Sequence, residues 1–284
     1  MAGWFAVVVI AGAAACTGSA TEAGDPVEVA GEALAGFIAE QENVQGYSVR
    51  PQRVEAWTGG AADEDRINYE LHRGGGDAVH EPRNRATNGF GVPSEAFPLG
   101  PTMTHLETSV ADCDEDRWRF QVEVLDSAAF FSQFTCGTAE GDPRVRVLLG
   151  EEELEPIGDP FSDAALSQLI SEAAVLESAI HRIRFEAEDM VVEYGGDDRR
   201  SLQWYRGFDP LRVSVQSLPL PTRPAIAPEF LVPGAFVDAF HQALDEAGWG
   251  PAEVARLQVG GSDGGLEFRL IGQADEVTMI VVNP

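Results

Sequence analysis

Residues 162–205 read SDAALSQLISEAAVLESAIHRIRFEAEDMVVEYGGDDRRSLQWY. Ser162 offers a helix N-cap, and Ala165, Leu166, Leu169, Ile170 and Ala173 recur on one helical face, which predicts a helix over 162–174. Strand-like runs follow at 179–186, 190–194 and 201–205. The tight turn Gly195-Gly196-Asp197-Asp198 separates the last two. A run with five prolines, 218–233, then predicts an extended connector. After it the order recurs. Residues 235–247 predict a helix with Phe236, Ala239, Phe240, Ala243 and Leu244 inward, followed by strands at 254–259, 266–271 and 277–282.

The two copies superpose. Asp163 matches Asp238 and Leu169 matches Leu244, while Arg182 matches Arg256 and Glu193-Tyr194 matches Glu267-Phe268. The pattern predicts tandem α-β-β-β modules, about 160–217 and 234–284. Chance likeness between short amphipathic units stays an open alternative. Upstream, residues 27–41 predict a helix with Val29, Ala33, Leu34, Phe37 and Ile38 on one face, and two strand-like runs follow at 48–58 and 66–73. That order is open to reading as a third, divergent copy.

A long irregular segment, 74–101, comes next. Then residues 104–110 predict a strand. In 117–124, Trp118, Phe120, Val122 and Val124 alternate with polar residues, a period-two pattern of an antiparallel strand with one buried face. Val145, Val147 and Leu149 alternate in the same way. The acidic stretch 151–159 sets a boundary between an N-terminal α+β domain, 27–155, and a C-terminal one, 156–284. The expected fold class is α+β: antiparallel sheets with helices packed on one face.

Composition narrows the function. The chain has 284 residues and a formal net charge of −28, and all nineteen basic residues are arginine. Such a chain is expected to repel nucleic acid and anionic lipid headgroups. A solvated acidic surface explains the charge as well as an affinity for cations or basic partners does.

The amino terminus carries an address. Residues 4–15, WFAVVVIAGAAA, are apolar but too short to cross a bilayer as a helix. They fit the apolar region of a signal peptide, 1–15. Ala13-Ala14-Ala15-Cys16 and the polar tether after it, 16–26, resemble the lipobox of bacterial lipoproteins. That resemblance covers about the first 17 residues. It implies diacylglycerol on the Cys16 thiol, cleavage before Cys16, often a further acyl chain such as palmitate, and an extracytoplasmic protein held to the membrane through lipid. The motif departs from the family at Ala13, where leucine is usual, and in the uncharged first five residues. Plain secretion and a cytosolic protein are the alternatives.

Cysteine usage fits export. Cys113 and Cys136 lie near one end of a hairpin expected to turn at Asp126-Ser127-Ala128, so a disulfide between them is geometrically open. Their spacing matches no zinc pattern.

No nucleophile elbow, P-loop, zinc-helix motif or dinucleotide fingerprint occurs. Of the histidines (72, 80, 105, 181 and 241), none has a second histidine at helical ligand spacing. Asp112, Asp114, Glu115 and Asp116 lack the glycine and distal glutamate of a calcium loop and read as a solvated turn. No catalytic residue, metal or cofactor is expected. Trp118 and Trp204 read as core. Trp57 and Trp249 sit near element ends and are candidate partner contacts. Arg182, Arg184, Glu186, Glu193 and Gln203 would line the solvated sheet face, and of these Arg182, Arg184 and Glu193 are candidate contacts.

Tandem modules of about 75 residues, with a cysteine pair 23 apart, resemble secreted β-lactamase inhibitory proteins, and the order is similar to PepSY-type proteins. The first resemblance implies a sheet face that grips a protein. The expected function is therefore a non-enzymatic envelope binding module with a protein or glycan partner. The alternative is an envelope hydrolase built from the 74–101 loop, with His80, Arg83, Arg85 and Glu95.

Overall fold

The computed structural model describes residues 25–58, 67–68, 81–82, 91–114, 117–127, 129–137, 143–197, 200–219, 223–263 and 265–283. The chain is α+β with antiparallel sheets. The expected signal peptide, Cys16, His72, His80, Arg83 and Arg85 lie outside the described residues, as does most of the run expected at 66–73.

The N-terminal half starts with α1 (Pro26–Ala39), capped by the Asp25 carboxylate on the Val27 N–H at 2.9 Å. Its buried face is Val27, Ala30, Leu34, Phe37 and Ile38, and Val29 points outward, 43% exposed. The run expected as one strand over 48–58 is a hairpin, β1 (Gly46–Arg50) and β2 (Arg53–Trp57). Pro51 makes the turn, because it cannot donate to a ladder.

The expected strand at 104–110 is instead part of a helix, α2 (Leu99–Ala111). Thr104, Thr108 and Val110 are β-branched and argue for a strand locally. Packing overrides them: Thr102, His105, Leu106 and Ser109, at helical spacing, are the buried face. The Tyr47 hydroxyl donates to Thr102 Oγ1 at 2.7 Å and ties α2 to the sheet. Strands β3 (Trp118–Val124), β4 (Phe130–Cys136), β5 (Arg144–Leu149) and the short β6 (Glu152–Glu153) follow. A disulfide joins Cys113, just past α2, to Cys136 at the end of β4.

The C-terminal half holds α3 (Asp163–Ala173), with Ser162 as its cap, then β7 (Ile180–Phe185), β8 (Asp189–Asp197), β9 (Arg200–Gly207) and β10 (Arg212–Pro219). The strand β10 extends the module beyond the three strands expected and absorbs the start of the expected connector. Helix α4 (Pro233–Ala247) ends on Gly248, whose φ of 72° suits glycine. Strands β11 (Val254–Ser262), β12 (Gly265–Gly272) and β13 (Val277–Val282) close the chain.

The sheet orders are β6-β5-β4-β3-β1-β2 and β10-β9-β8-β7-β11-β12-β13. In each sheet the first strands of two helix-led units pair antiparallel in the sheet interior. Ser48 faces Gln121, and α1 and α2 also begin 73 positions apart. Arg184 faces Gln258, and Arg182 and Arg256 hold equivalent places on their strands, both pairs 74 apart. Each half thus has an approximate local two-fold axis, and the described residues form four helix-led units. The unit led by α2 escaped the sequence reading because its helix read as a strand.

The described residues form two apolar clusters. One joins α1 and α2 to β1–β4. The other joins α3 and α4 to the second sheet and also takes Phe131, Val147 and Leu149 from the outward side of the first. Polar links cross the same junction: Tyr194 Oη donates to the Leu125 carbonyl at 2.9 Å, and the Val213 N–H to Gln133 Oε1 at 3.0 Å.

One ion pair lies inside the second cluster. Arg206, fully buried on β9, donates through Nε to Glu172 Oε2 at 2.5 Å and through Nη2 to Glu172 Oε1 at 3.0 Å. Nη2 also reaches the Glu155 carbonyl at 2.7 Å, and Gln168 Nε2 donates to Glu172 at 3.0 Å.

Candidate functional site

The helices cover one face of the second sheet, and side-chain alternation puts charged residues on the other. Arg182 faces Glu193 across β7 and β8, and their side chains meet at 2.6 Å. Arg184 and Arg256 both reach Glu186 Oε1, at 3.1 and 3.0 Å. Arg223 pairs with Glu267. Gln203 lies beside Glu193 on β9. The sheet face expected from the sequence is thus a row of mutually paired charges. Arg182 and Arg184 have side chains 43% and 37% exposed, whereas Glu193 is down to 11% under Arg182. Each exposed pair adds little to stability.

Beside that row runs a feature not expected from the sequence. Strand β13 is an edge strand of the sheet, and Val277, Met279 and Val281 stand outward on it, 49%, 58% and 49% exposed. They alternate with Thr278, Ile280 and Val282, which are wholly or partly covered. An apolar stripe on an open edge is costly to leave in water and marks a contact surface. Its signal was in the sequence: VTMIVV, 277–282, is apolar at both parities, as a strand covered on both faces would be.

The tryptophan anchors do not join this face. Trp57 is buried, 8% exposed, which corrects its reading as a partner contact. It lies against its cross-strand neighbour Gly46, where an added Cβ would come within 2.9 Å of the indole Nε1. Trp249 is half-buried and packs on the second core. Trp118 and Trp204 are buried.

A recess of about 510 Å³ opens between α2 and β4–β5, lined by Thr104, His105, Thr108, Ser132, Arg146 and Glu151 among others. His105 Nδ1 lies 2.7 Å from Ser132 Oγ. A nucleophilic serine needs the far ring nitrogen held by an orienting acceptor. Here Nε2 is buried with no hydrogen-bond partner among the described residues. The nearest charges serve each other, Arg146 Nε and Nη2 lying 3.0 and 2.9 Å from Glu153. His181 Nδ1 lies 3.1 Å from the Arg223 carbonyl, and His241 Nε2 lies 2.8 Å from Asp163 Oδ1, joining α4 to α3. Glu95 is exposed on a short 3₁₀ turn. Among the described residues no group of His, Cys, Asp and Glu could hold a metal ion.

His105 has a consequence for acid stability. Burial, with Arg146 nearby, lowers its pKa to about 4, while Glu153 opposes the shift. Below pH 6.5 the unfolded chain takes up a proton that the folded imidazole refuses until about pH 4. Stability therefore falls as pH drops through that window, by on the order of 1–2 kcal/mol after allowance for solvent screening. In urea melts between pH 7 and 4, His105→Gln should flatten this limb; an unchanged slope would assign it to the carboxylates.

A scan against family models gives no match, and neither does a search of curated proteins. Among solved structures, the chain is similar to the proliferating cellular nuclear antigen of Entamoeba histolytica, at 11% identity over 91% of this chain and 95% of that one. It is also similar to a chain of the PCNA2–PCNA3 complex of Sulfolobus tokodaii, at 9% identity over 90% and 96%. Both likenesses have a TM-score of 0.19 and carry no argument about fold or function.

Proposed function

We propose that this chain is an exported envelope lipoprotein, anchored through Cys16, that holds a protein partner on the outward face of its second sheet without catalysing a reaction. The single observation behind the binding role is the stripe Val277, Met279 and Val281 on an open strand edge, next to a flat row of paired charges. An apolar stripe bordered by polar residues has the composition of the core and rim of a protein interface. Paired arginines and glutamates set register and reject mismatched partners more than they add affinity. The export reading rests on the apolar run before Cys16 and on the Cys113–Cys136 bond, which suits an oxidising compartment. Nucleic acid is not proposed as a partner, and no cofactor is assigned.

One preparation tests both parts. Protein purified from envelope membranes should carry the mass of diacylglycerol on an amino-terminal Cys16, and a Cys16→Ser form should leave the membrane fraction. An unmodified chain beginning at Met1 would overturn export. Partners cross-linked to the mature chain should fall at least tenfold with Met279→Arg, which leaves the circular dichroism unchanged. Equal yield from both forms would remove the stripe from the interface.

A further inference from the structure

The overall charge of −28 hides a local inversion at the far end of the first sheet. Arg50 and Arg53 are cross-strand partners in the β1–β2 hairpin. The β1–β3 ladder runs through Ser48 opposite Gln121 and Val49 opposite Phe120, so its next step sets Arg50 against Arg119. Arg119 in turn faces Thr135 on β4. Arg53, Arg50 and Arg119 therefore form one row across three strands, on the face turned away from the helices. Arg117 stands one pleat further along β3's leading end.

Like charges directly opposite each other destabilise a sheet. This chain has 47 acidic residues with which to avoid that arrangement, yet it puts four of its nineteen basic residues here. Two carboxylates answer them in part. Arg53 Nη2 meets Glu55 Oε1 at 2.5 Å, and Arg119 Nη2 donates to Gln121, whose amide leads on to Glu123. Burial and the Arg50 charge push the Arg119 pKa down, against the pull of Glu55 and Glu123.

The row opens on a cavity of about 570 Å³. Arg50, Arg53, Arg117 and Arg119 line it together with Trp118 and Thr135, and none of its described lining residues is acidic. Four planar guanidiniums around one space are a multidentate donor set for oxyanions. A carboxylate has two oxygens and one charge, too few to engage them all. A phosphate group offers more acceptors and up to two charges, which matches four arginines offset by two glutamates.

We propose that this cavity binds a phosphate group, carried either free or on a phospholipid headgroup. The site is independent of the docking face on β13 and of the membrane anchor.

The full chain with Cys16→Ser serves as the probe protein, so that no lipid anchor adds membrane affinity. Inorganic phosphate is titrated calorimetrically in chloride buffer. In a second arm, co-sedimentation compares phosphatidylglycerol vesicles with phosphatidylcholine vesicles. Saturable binding should weaken at least tenfold in Arg50→Gln/Arg119→Gln. That double variant should melt no lower than the parent, because the opposed charges are gone. Arginine-dependent binding of inorganic phosphate identifies a free-phosphate site, and arginine-dependent preference for phosphatidylglycerol vesicles alone identifies a headgroup site. If the double variant does not fold, the exposed single change Arg117→Gln reads the same two arms. Binding that persists unchanged in the arginine variants, or absent in both arms, overturns the proposal.

Discussion

Replacing Arg206 by methionine is expected to cost about 3–5 kcal/mol of folding stability at pH 7. The reason is what remains behind. Glu172 is 7% exposed on the inner face of α3, and among the described residues Arg206 supplies two of the three side-chain hydrogen bonds to its carboxylate. Without Arg206, a charge stays in an apolar cluster with only the Gln168 amide. Burial already pushes the Glu172 carboxyl above its ordinary value, against the pull of Arg206. The variant is therefore expected to hold this carboxyl protonated well above the usual carboxylate range. A raised folded-state pKa favours folding below it, so the loss should shrink as pH falls toward 5. Adding Glu172→Leu should restore most of the stability, because a buried pair can be replaced by packed apolar groups at little net cost. Urea melts of the two variants at pH 7 and pH 5 decide it. A single variant within 1 kcal/mol of the parent would mean that the carboxylate escapes to water.

Cys113→Ala is the second large effect, about 3 kcal/mol. The bond closes a loop between residues 23 apart, and opening it returns that loop's entropy to the unfolded chain. It also frees the start of β3 from the end of α2, because Arg117 and Trp118 lie inside the loop. Cys113 is the better position to change, since Cys136 is 3% exposed in the first core and its loss would add a packing defect. Thermal melts of Cys113→Ala and of the parent in dithiothreitol should shift down together, and the parent's shift should vanish in the variant. A variant that still responds to dithiothreitol would show another source for the effect.

The fold class was legible because period-two and period-3.6 patterns are written plainly into 117–124, 162–174 and 235–247. Two elements were hidden. In α2, β-branched Thr104, Thr108 and Val110 lie on or beside the outward side, so local propensity opposed what the buried Thr102, His105, Leu106 and Ser109 required. In 48–58, no gap marks the hairpin, because Pro51 and Gln52 turn the chain within a continuous strand-like pattern. The buried pair left a trace that was not read: Arg206 continues the alternation Leu202, Trp204 inward, and Glu172 sits beside Ala173 on the stripe of α3. Two opposite charges at core parity are the signature of a buried bridge. The arginine row could not be found from spacing. Arg50, Arg53, Arg117 and Arg119 come from two segments, and only the β1–β3 register brings them side by side.

The pairing of first strands, β1 with β3 and β7 with β11, has a consequence for how such a chain could be cut. A single helix-led unit on its own would present that first strand as a bare edge, with its inward residues Ile183 and Phe185 under one helix instead of two. Two identical units would pair across the same axis but set Arg184 opposite the neighbour's Arg184, a like-charge contact that Gln258 removes in this chain. Each half of the chain has the geometry of such a pair written as one polypeptide, with the linker replacing the need to meet by diffusion. Severing the chain between β10 and Arg223, which leaves Arg223 on Glu267 and Ile226 in the second core, should therefore yield two fragments that find each other, whereas a cut inside either unit should leave pieces that do not.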